Sequence, residues 1–381
     1  MSWSWELLVA HGEEEAPCPR DVWGGMLAHG GRLFLFGGAT ARYGPARAPG
    51  DLSTLGTLND LWTYDPEHNR WTQLEGDDGS SGFSISAGRP CGRVLPAWVP
   101  VGGKFYLFGG LSVLGPGWRT CLLNDLWSYD PGTHRWELLE PHDGRALESP
   151  TSPRFHRPPT LAAMGAAGVG NRVYLMAGWG RTPQVIISSQ LWRYDISSGT
   201  WEFLGPEGGE PWPSKRYCPA FVEYEGKLHL WGGRDTQEVP QRFYNDLWEY
   251  DIAGGRWRCL QGNRPDDPGV PSPRYGMGHA RMGHYWYIFG GFGSYEGHSP
   301  QLNDLWCYDF RSGSWECLCP HDGSKDYTPS AVRPGVRRVP GMAALDDHVY
   351  LFGGLDLASG PRDEGPLIAF NDLWRGLPGG G

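Results

Sequence analysis

The sequence has no apolar run long enough to cross a membrane and no block of basic residues. Its longest apolar run, residues 161–170, is about half the length that a membrane-spanning helix needs. Lys and Arg number 33 against 43 Asp and Glu, so the net charge is −10, which argues against a dedicated nucleic-acid-binding protein. The N-terminal residues MSWSWELL lack the basic and apolar regions of a signal peptide. We therefore expect a cytoplasmic protein that binds neither nucleic acid nor a membrane.

Cysteine is sparse as well. Eight scattered Cys in 381 residues do not form a disulfide framework, and we expect them to be reduced. Cys317 and Cys319 flank a single residue, but two thiols without a second pair are weak evidence for zinc, and no metal site is predicted. The 58 Gly and 33 Pro stay just below the level typical of a low-complexity chain, while 20 Trp, 17 Tyr and 14 Phe can fill a core. The chain is therefore expected to fold.

The motifs of several common enzyme classes are also missing. No Gly-x-x-x-x-Gly-Lys-Ser/Thr, His-Glu-x-x-His or Gly-x-Ser-x-Gly pattern occurs. No cofactor is therefore predicted.

What the sequence does contain is one unit repeated six times. Phe-Gly-Gly or a close variant occurs in every unit, and Asn-Asp-Leu-Trp follows it in all but the third, which has Ser-Gln-Leu-Trp. Each unit reads as four short strands; in the fourth unit these are residues 216–224, 227–231, 246–251 and 256–260, and their apolar residues alternate as in a packed strand. After the third strand comes a further Trp in the first five units, at Trp71, Trp136, Trp201, Trp257 and Trp315.

Gly-Gly, Tyr-Asp and Trp in this order resemble the kelch repeat family across essentially the whole chain. The resemblance implies an all-β fold, a six-bladed β-propeller with four antiparallel strands in each blade. The sixth unit lacks its fourth strand, and Trp5-Glu6-Leu7-Leu8 matches residues 136–139 letter for letter. Residues 1–8 should therefore complete the last blade and close the ring. The predicted blades span about 20–75, 89–140, 154–205, 214–261, 272–319 and 337–374, and residues 375–381 form a flexible Gly/Pro tail.

Loop lengths distinguish the two faces of this ring. Connections from first to second and from third to fourth strands are tight, whereas the second-to-third and fourth-to-first connections are long and emerge together on one face. Long loops on a rigid scaffold commonly carry binding residues. The repeat adds a filter, because a residue present in every blade serves the blade, while one present in a single blade is free to serve a ligand.

An arginine begins the first strand of each unit and admits two interpretations. The six guanidiniums either surround the channel mouth and bind an anion, or fork onto the neighbouring Asp and loop carbonyls. The arginines concerned are Arg20, Arg93, Arg157, Arg216, Arg274 and Arg337.

Residues outside the repeat are further candidates for a binding site. The loops of the first three blades are net basic and those of the last three net acidic, which suits a partner with a negative end and a flat or apolar part. The ligand-binding candidates here are Trp118, Arg119, Trp179, Arg181, Phe292 and Tyr295. Weak catalytic candidates are His298, Asp235 and Arg234.

The resemblance implies a monomeric binding platform for a protein or peptide, although a few kelch propellers are enzymes. No His has Asp four and Glu eight residues before it, so the iron motif of the plant specifier proteins is absent. The copper ligands of galactose oxidase are not assignable, while the bacterial sialic-acid mutarotase remains an analogy for an arginine-lined channel. We predict a propeller that binds an anionic small molecule or acidic peptide; the alternative is a lyase, isomerase, cyclase or mutarotase-like enzyme acting on a small anionic metabolite.

Overall fold

The computed structural model describes residues 2–22, 24–40, 55–82, 88–115, 119–148, 156–181, 184–205, 211–237, 240–293, 300–324, 330–357 and 367–379. Within these ranges the chain forms strands and turns and no helix, so none of them contains a helix that could span a membrane. Six antiparallel sheets, the blades, follow one another along the chain and form the predicted six-bladed β-propeller.

The first three blades each contain four strands in sequential order. Their second strands are buried along most of their length, because each sheet packs between two neighbouring sheets. The chain begins with β1 (Trp3–Val9), which belongs to the sixth blade. The strands of blades one to three are β2 (Met26–His29), β3 (Arg32–Thr40), β4 (Gly56–Asp65) and β5 (Arg70–Glu75); β6 (Ala97–Val101), β7 (Lys104–Gly115), β8 (Arg119–Asp130) and β9 (Arg135–Glu140); and β10 (Gly165–Val169), β11 (Arg172–Met176), β14 (Leu191–Asp195) and β15 (Thr200–Phe203), with the small hairpin β12 (Trp179–Arg181) and β13 (Val185–Ile187) above the third blade.

The other three blades repeat this pattern, with short additional strands on the long-loop face. Blade four has β16 (Ala220–Tyr224), β17 (Lys227–Trp231), β20 (Leu247–Asp251) and β21 (Arg256–Gln261), with β18 (Arg234–Asp235) and β19 (Arg242–Phe243) as its hairpin. Blade five has β22 (Arg274–Tyr275), β23 (Gly278–Met282), β24 (Tyr285–Gly293), β25 (Gln301–Asp309) and β26 (Ser314–Cys319). Blade six has β27 (Gly341–Leu345), β28 (His348–Phe352) and β31 (Leu373–Pro378), with the hairpin β29 (Leu355–Leu357) and β30 (Leu367–Ala369).

The ring closes through the N-terminal strand, as predicted. β1 pairs antiparallel with β31, and Trp5 lies opposite Gly376 as Trp136 lies opposite Tyr129 in blade two. The prediction of a free tail from residue 375 is wrong up to Pro378, because Trp3 pairs with Pro378 and β31 is a full partner of β1. With the ring closed, β31 is hydrogen-bonded on both of its edges, to β28 on one side and to β1 on the other.

The core lies between adjacent blades, and the repeated rings fill it. In five blades the Trp of the fourth strand contacts the ring that precedes Gly-Gly in the blade before it, as seen for Trp136 with Phe36 and Trp201 with Phe108, whose ring centroids are 5.1 and 5.2 Å apart. Trp5 makes the equivalent contact with Phe289 at 5.5 Å. Trp257 instead packs in an apolar cluster with Met176, which replaces that ring in blade three. Each ring buries a large apolar area, so these contacts hold neighbouring blades together.

An Arg–Asp pair repeats within five blades. Arg93 donates two hydrogen bonds to the Asp125 carboxylate at 2.7 and 2.8 Å and one to the Gly109 carbonyl, while Trp127 donates to the same carboxylate at 2.7 Å. Burial raises the pKa of Asp125, but the charge and hydrogen bonds of Arg93 outweigh it and hold that pKa below its ordinary value. The other four pairs are Arg20–Asp60, Arg216–Asp246, Arg274–Asp304 and Arg337–Asp372.

Candidate ligand-binding surface at the channel mouth

Main-chain hydrogen bonds surround the axis just inside the long-loop face. The residue two places after the blade arginine bonds to its counterpart in the neighbouring blade: Cys218 N donates to the Ala163 carbonyl at 2.9 Å, and Val339 N to Gly276 at 2.6 Å. On the loop side of this belt, the residue after each arginine pairs with the residue after Gly-Gly, as Tyr217 does with Arg234. These paired positions line the channel mouth.

Blades four to six place aromatic rings and two arginines at this mouth. The Tyr275 ring lies 5.4 Å from Tyr217, 5.9 Å from Phe292 and 6.1 Å from Phe243, measured between centroids. All except Tyr275 are half-buried, so their edges reach solvent. We call these four residues, together with Arg234 and Arg338, the mouth cluster.

The guanidiniums of the mouth cluster are held in place by its aromatic residues. The Arg234 guanidinium carbon lies 5.0 Å from the centroids of both Phe243 and Tyr275, and Arg338 donates a hydrogen bond to the Tyr275 hydroxyl at 3.1 Å. A cation over a ring face is attracted by the ring quadrupole. The rings therefore orient Arg234, and the Tyr275 hydroxyl orients Arg338, while both side chains remain half-exposed.

The acids near the mouth lie deeper than these cations. Asp235 is fully buried and forms an ion pair with Lys215 at 3.5 Å, and the fully buried Asp356 accepts a hydrogen bond from Gln301 at 2.5 Å. Asp21 is 8 % exposed. Among the residues that the structure describes, the accessible charge at the mouth is therefore positive, although the chain as a whole is acidic.

Five of the six predicted ring arginines are structural, which corrects their assignment to ligand binding. Each is at most 1 % exposed, and its guanidinium is committed to the Asp of its own blade and to main-chain carbonyls. A buried charge needs such partners, so nothing on these groups is left for a ligand. The residues are Arg20, Arg93, Arg216, Arg274 and Arg337.

Arg157 is not the sixth member of this set. Leu161 stands at the arginine position of blade three, since its N donates to Leu123 O as Arg93 N does to Leu58 O. Arg157 lies four residues earlier, where it donates to the Asn124 carbonyl at 2.6 Å and forms an ion pair with Glu140 at 3.1 Å.

The position of Arg157 is itself a repeated one. Arg333, four residues before Arg337, donates to the Asn303 carbonyl at 2.6 Å, and Arg89, four residues before Arg93, donates to the Gly76 carbonyl at 2.7 Å. These arginines brace the fourth-to-first loops.

Two of the predicted loop residues, Trp179 and Arg181, do lie together. With Thr120, His142 and other residues they line a cavity of about 250 Å³ between blades two and three. Arg119 is the first residue of β8, the strand that carries Thr120, and is exposed. Trp118, Tyr295 and His298 lie outside the described residues.

Sequence reasoning placed Arg234 and Phe292 at the functional face but missed Tyr217, Phe243, Tyr275 and Arg338. Three of the four missed residues, Tyr217, Tyr275 and Arg338, directly follow a blade arginine. The residue at this position differs from blade to blade, so the rule that ligand-binding residues are not repeated could have identified them. Asp235, a catalytic candidate, has a side chain only 1 % exposed, so solvent does not reach it.

The fold defines the class of protein. It is a β-propeller in which a repeated Arg–Asp pair stabilises the blades, and residues that differ from blade to blade lie together at the channel mouth. The profile of the KLHDC2/KLHL20/DRC7 kelch-repeats domain matches residues 1–158 and 162–375. The chain therefore belongs to the kelch-repeat family. Kelch propellers are in general binding scaffolds, and this coarse description applies to the chain.

Individual relatives are similar over most of this chain. The human multiple epidermal growth factor-like domains protein 8 is 30% identical over 276 residues, which are 70% of this chain and 8% of that protein. Kelch domain-containing protein 10 of Xenopus tropicalis is 23% identical over 63% of this chain and 50% of its own length. N-(sulfonatooxy)prop-2-enimidothioate sulfolyase of Thlaspi arvense is 26% identical over 73% of this chain and 71% of its own length. The chain thus spans a small part of the first relative and half of the second.

Proposed function

We propose that this propeller binds an acidic peptide segment of a partner protein across its channel mouth. The observation that carries the proposal is the pair of half-exposed guanidiniums, Arg234 and Arg338, held by the aromatic residues of the mouth cluster. Carboxylates beneath them are buried and already bonded. A peptide carboxylate would meet oriented donors, and the described part of the mouth holds no accessible acid that would compete for them.

Two kinds of contact would contribute to this binding. Each charge-assisted hydrogen bond from an arginine contributes about 1.5–3 kcal/mol, and the exposed edges of Phe243 and Phe292 offer apolar surface for a neighbouring peptide side chain. The partner segment is therefore expected to alternate acidic and apolar or aromatic residues.

A fluorescein-labelled decapeptide of alternating Asp and Phe tests the proposal, with the Asn–Phe decapeptide as its uncharged counterpart. Fluorescence polarisation should show saturable binding of the Asp peptide and at least tenfold weaker binding of the Asn peptide. Arg234→Ala with Arg338→Ala should remove the difference. Arg135→Ala, an exposed arginine on the opposite face, should not. Equal binding of the two peptides by the native protein would reject the proposal.

An enzyme acting on a small anionic metabolite is the second candidate, and the similarity to a sulfolyase supports it. The buried Asp235 does not suit general-base chemistry because a base must reach the proton it removes. Turnover of such a metabolite that is lost in the Arg234→Ala protein, with folding intact, would favour the enzyme over the platform.

A further inference from the structure

The cavity between blades two and three has a composition that the mouth cluster lacks. It lies between the long hairpin of β7 and β8, the fourth-to-first loop that follows blade two, and the hairpin of β12 and β13. Its volume is about 250 Å³, enough for one large side chain. We call it the hairpin cleft; its lining includes Thr120, Cys121, His142, Thr160, Trp179 and Arg181.

A flat apolar surface and a cation stand side by side in the hairpin cleft. Trp179 and Arg181 are two residues apart on β12, and residues two apart on a strand point to the same side. Trp179 is half-buried and Arg181 exposed. Among the residues that the structure describes, neither Arg181 nor the nearby Arg119 forms an ion pair, so their charge is uncompensated there.

The other polar groups of the cleft are neutral donors and acceptors. Thr120 and Thr160 provide hydroxyls. Burial lowers the pKa of His142, although Asp125 and Asp143 act in the opposite direction, so its imidazole is neutral near pH 7. Burial also raises the pKa of Cys121 to about 11, which keeps that thiol protonated. The cleft thus joins one cationic end to a neutral, hydrogen-bonding wall.

A ligand that matches this cleft has an aromatic ring and a negative charge at its far end. Among peptide side chains, both occur together in the ester anions of tyrosine, its O-phosphate and its O-sulfate. A phosphate ester carries a charge of about −1.5 to −2 and three acceptor oxygens, which suit a guanidinium and two hydroxyls. The ring would lie against Trp179.

We propose that the hairpin cleft binds the esterified side chain of a phosphotyrosine or sulfotyrosine in the partner segment. This inference rests on the proposed function, because it identifies a modified residue of the same peptide. Trp179 packs against the apolar cluster that also receives Tyr217 and Phe292 of the mouth cluster, so the cleft and the mouth adjoin the same cluster and one extended segment would span them. Esterification of the tyrosine would then strengthen partner binding.

Small probes isolate the cleft from the rest of the peptide. Phenyl phosphate, phenyl sulfate, phenol and inorganic phosphate are titrated into ¹⁵N-tryptophan-labelled protein, and the indole N–H signal of Trp179 is assigned with Trp179→Phe. Phenyl phosphate or phenyl sulfate should shift that signal saturably and bind at least tenfold more tightly than phenol and inorganic phosphate. A preference for the phosphate ester supports phosphotyrosine, and a preference for the sulfate ester supports sulfotyrosine.

Variants complete the test. Arg181→Ala should weaken the aryl ester at least tenfold, and Arg135→Ala should leave it unchanged. Inorganic phosphate binding as tightly as phenyl phosphate, or an Arg181→Ala protein that retains full affinity, would overturn the inference. Binding of the Asp–Phe peptide should depend on Arg234 and Arg338 rather than on Arg181. The polarisation assay therefore tests the mouth cluster and the titration of Trp179 tests the hairpin cleft, so either proposal can fail without the other.

Discussion

Leu161 and Gln190 of the third blade occupy the two positions that an Arg–Asp pair occupies in the other five. Leu161 N makes the main-chain hydrogen bond of the arginine position, and Trp192 donates to Gln190 Oε1 at 2.8 Å as Trp127 does to Asp125. Both charges have been replaced together, which avoids leaving either one buried without a partner. The third blade therefore shows that a blade forms without the ion pair.

This substitution predicts how the ion pair of blade two responds to mutation. Arg93→Leu alone leaves Asp125 buried without its partner and should lower the free energy of unfolding by about 3–5 kcal/mol. Arg93→Leu with Asp125→Gln copies blade three and should recover most of that loss. Urea unfolding of the two single variants and the double variant measures the coupling. A double variant as unstable as the sum of the singles would contradict the compensation.

Closure of the ring predicts a strong dependence on the N-terminal strand. Deleting residues 1–9 removes β1, exposes the edge of β31 and uncovers the packing surface of Phe289, so we expect insoluble protein or a large fall in melting temperature. Glu6→Gln removes only the ion pair with Arg375 and should cost little. A deletion variant that melts with the full chain would show that β1 does not close the ring.

The buried His229 and the half-buried His279 predict acid sensitivity. Burial lowers the pKa of His279 to about 4, and burial, opposed by Glu249, lowers that of His229 to about 4. Because these values lie below the unfolded value of about 6.5, the unfolded chain binds more protons between them. Stability should therefore fall as the pH drops from about 6.5 to 4, by up to about 3 kcal/mol for each group.

Substituting these histidines checks the assignment of the acid sensitivity. His229 stands where blade three has Tyr174, so His229→Tyr should fit and flatten the pH profile of urea unfolding. The exposed His68, replaced by Ala, provides the control. An unchanged profile in the His229→Tyr and His279→Phe proteins would assign the sensitivity to other groups.

Salt should weaken the proposed peptide binding because Arg234 and Arg338 are half-exposed. Raising NaCl from 50 to 500 mM shortens the Debye length from about 14 to 4 Å, so the affinity for the Asp–Phe peptide should fall several-fold. The Arg234→Ala, Arg338→Ala protein should show a smaller salt dependence in the same polarisation assay. An affinity that rises with salt would indicate binding dominated by apolar contacts.

The amino-acid sequence by itself determined the propeller, its six blades and the strand that closes it. These features rest on short-range patterns that repeat, and on the match of Trp5-Glu6-Leu7-Leu8 to an internal strand, so position in the repeat identified each element. A large apolar ring present in every unit has a sheet interface as its natural place, and the repeated Trp lie at such interfaces.

Only the tertiary structure decided what the repeated arginines do. The sequence left an anion site and an internal ion pair both open for Arg93 and its equivalents. The choice depends on whether the fold brings Asp125, 32 positions further along the chain, within hydrogen-bond reach. Likewise, the neighbours of Tyr275 in the mouth cluster come from different blades. Their approach is set by the curvature of the closed ring, which no local pattern of residues encodes.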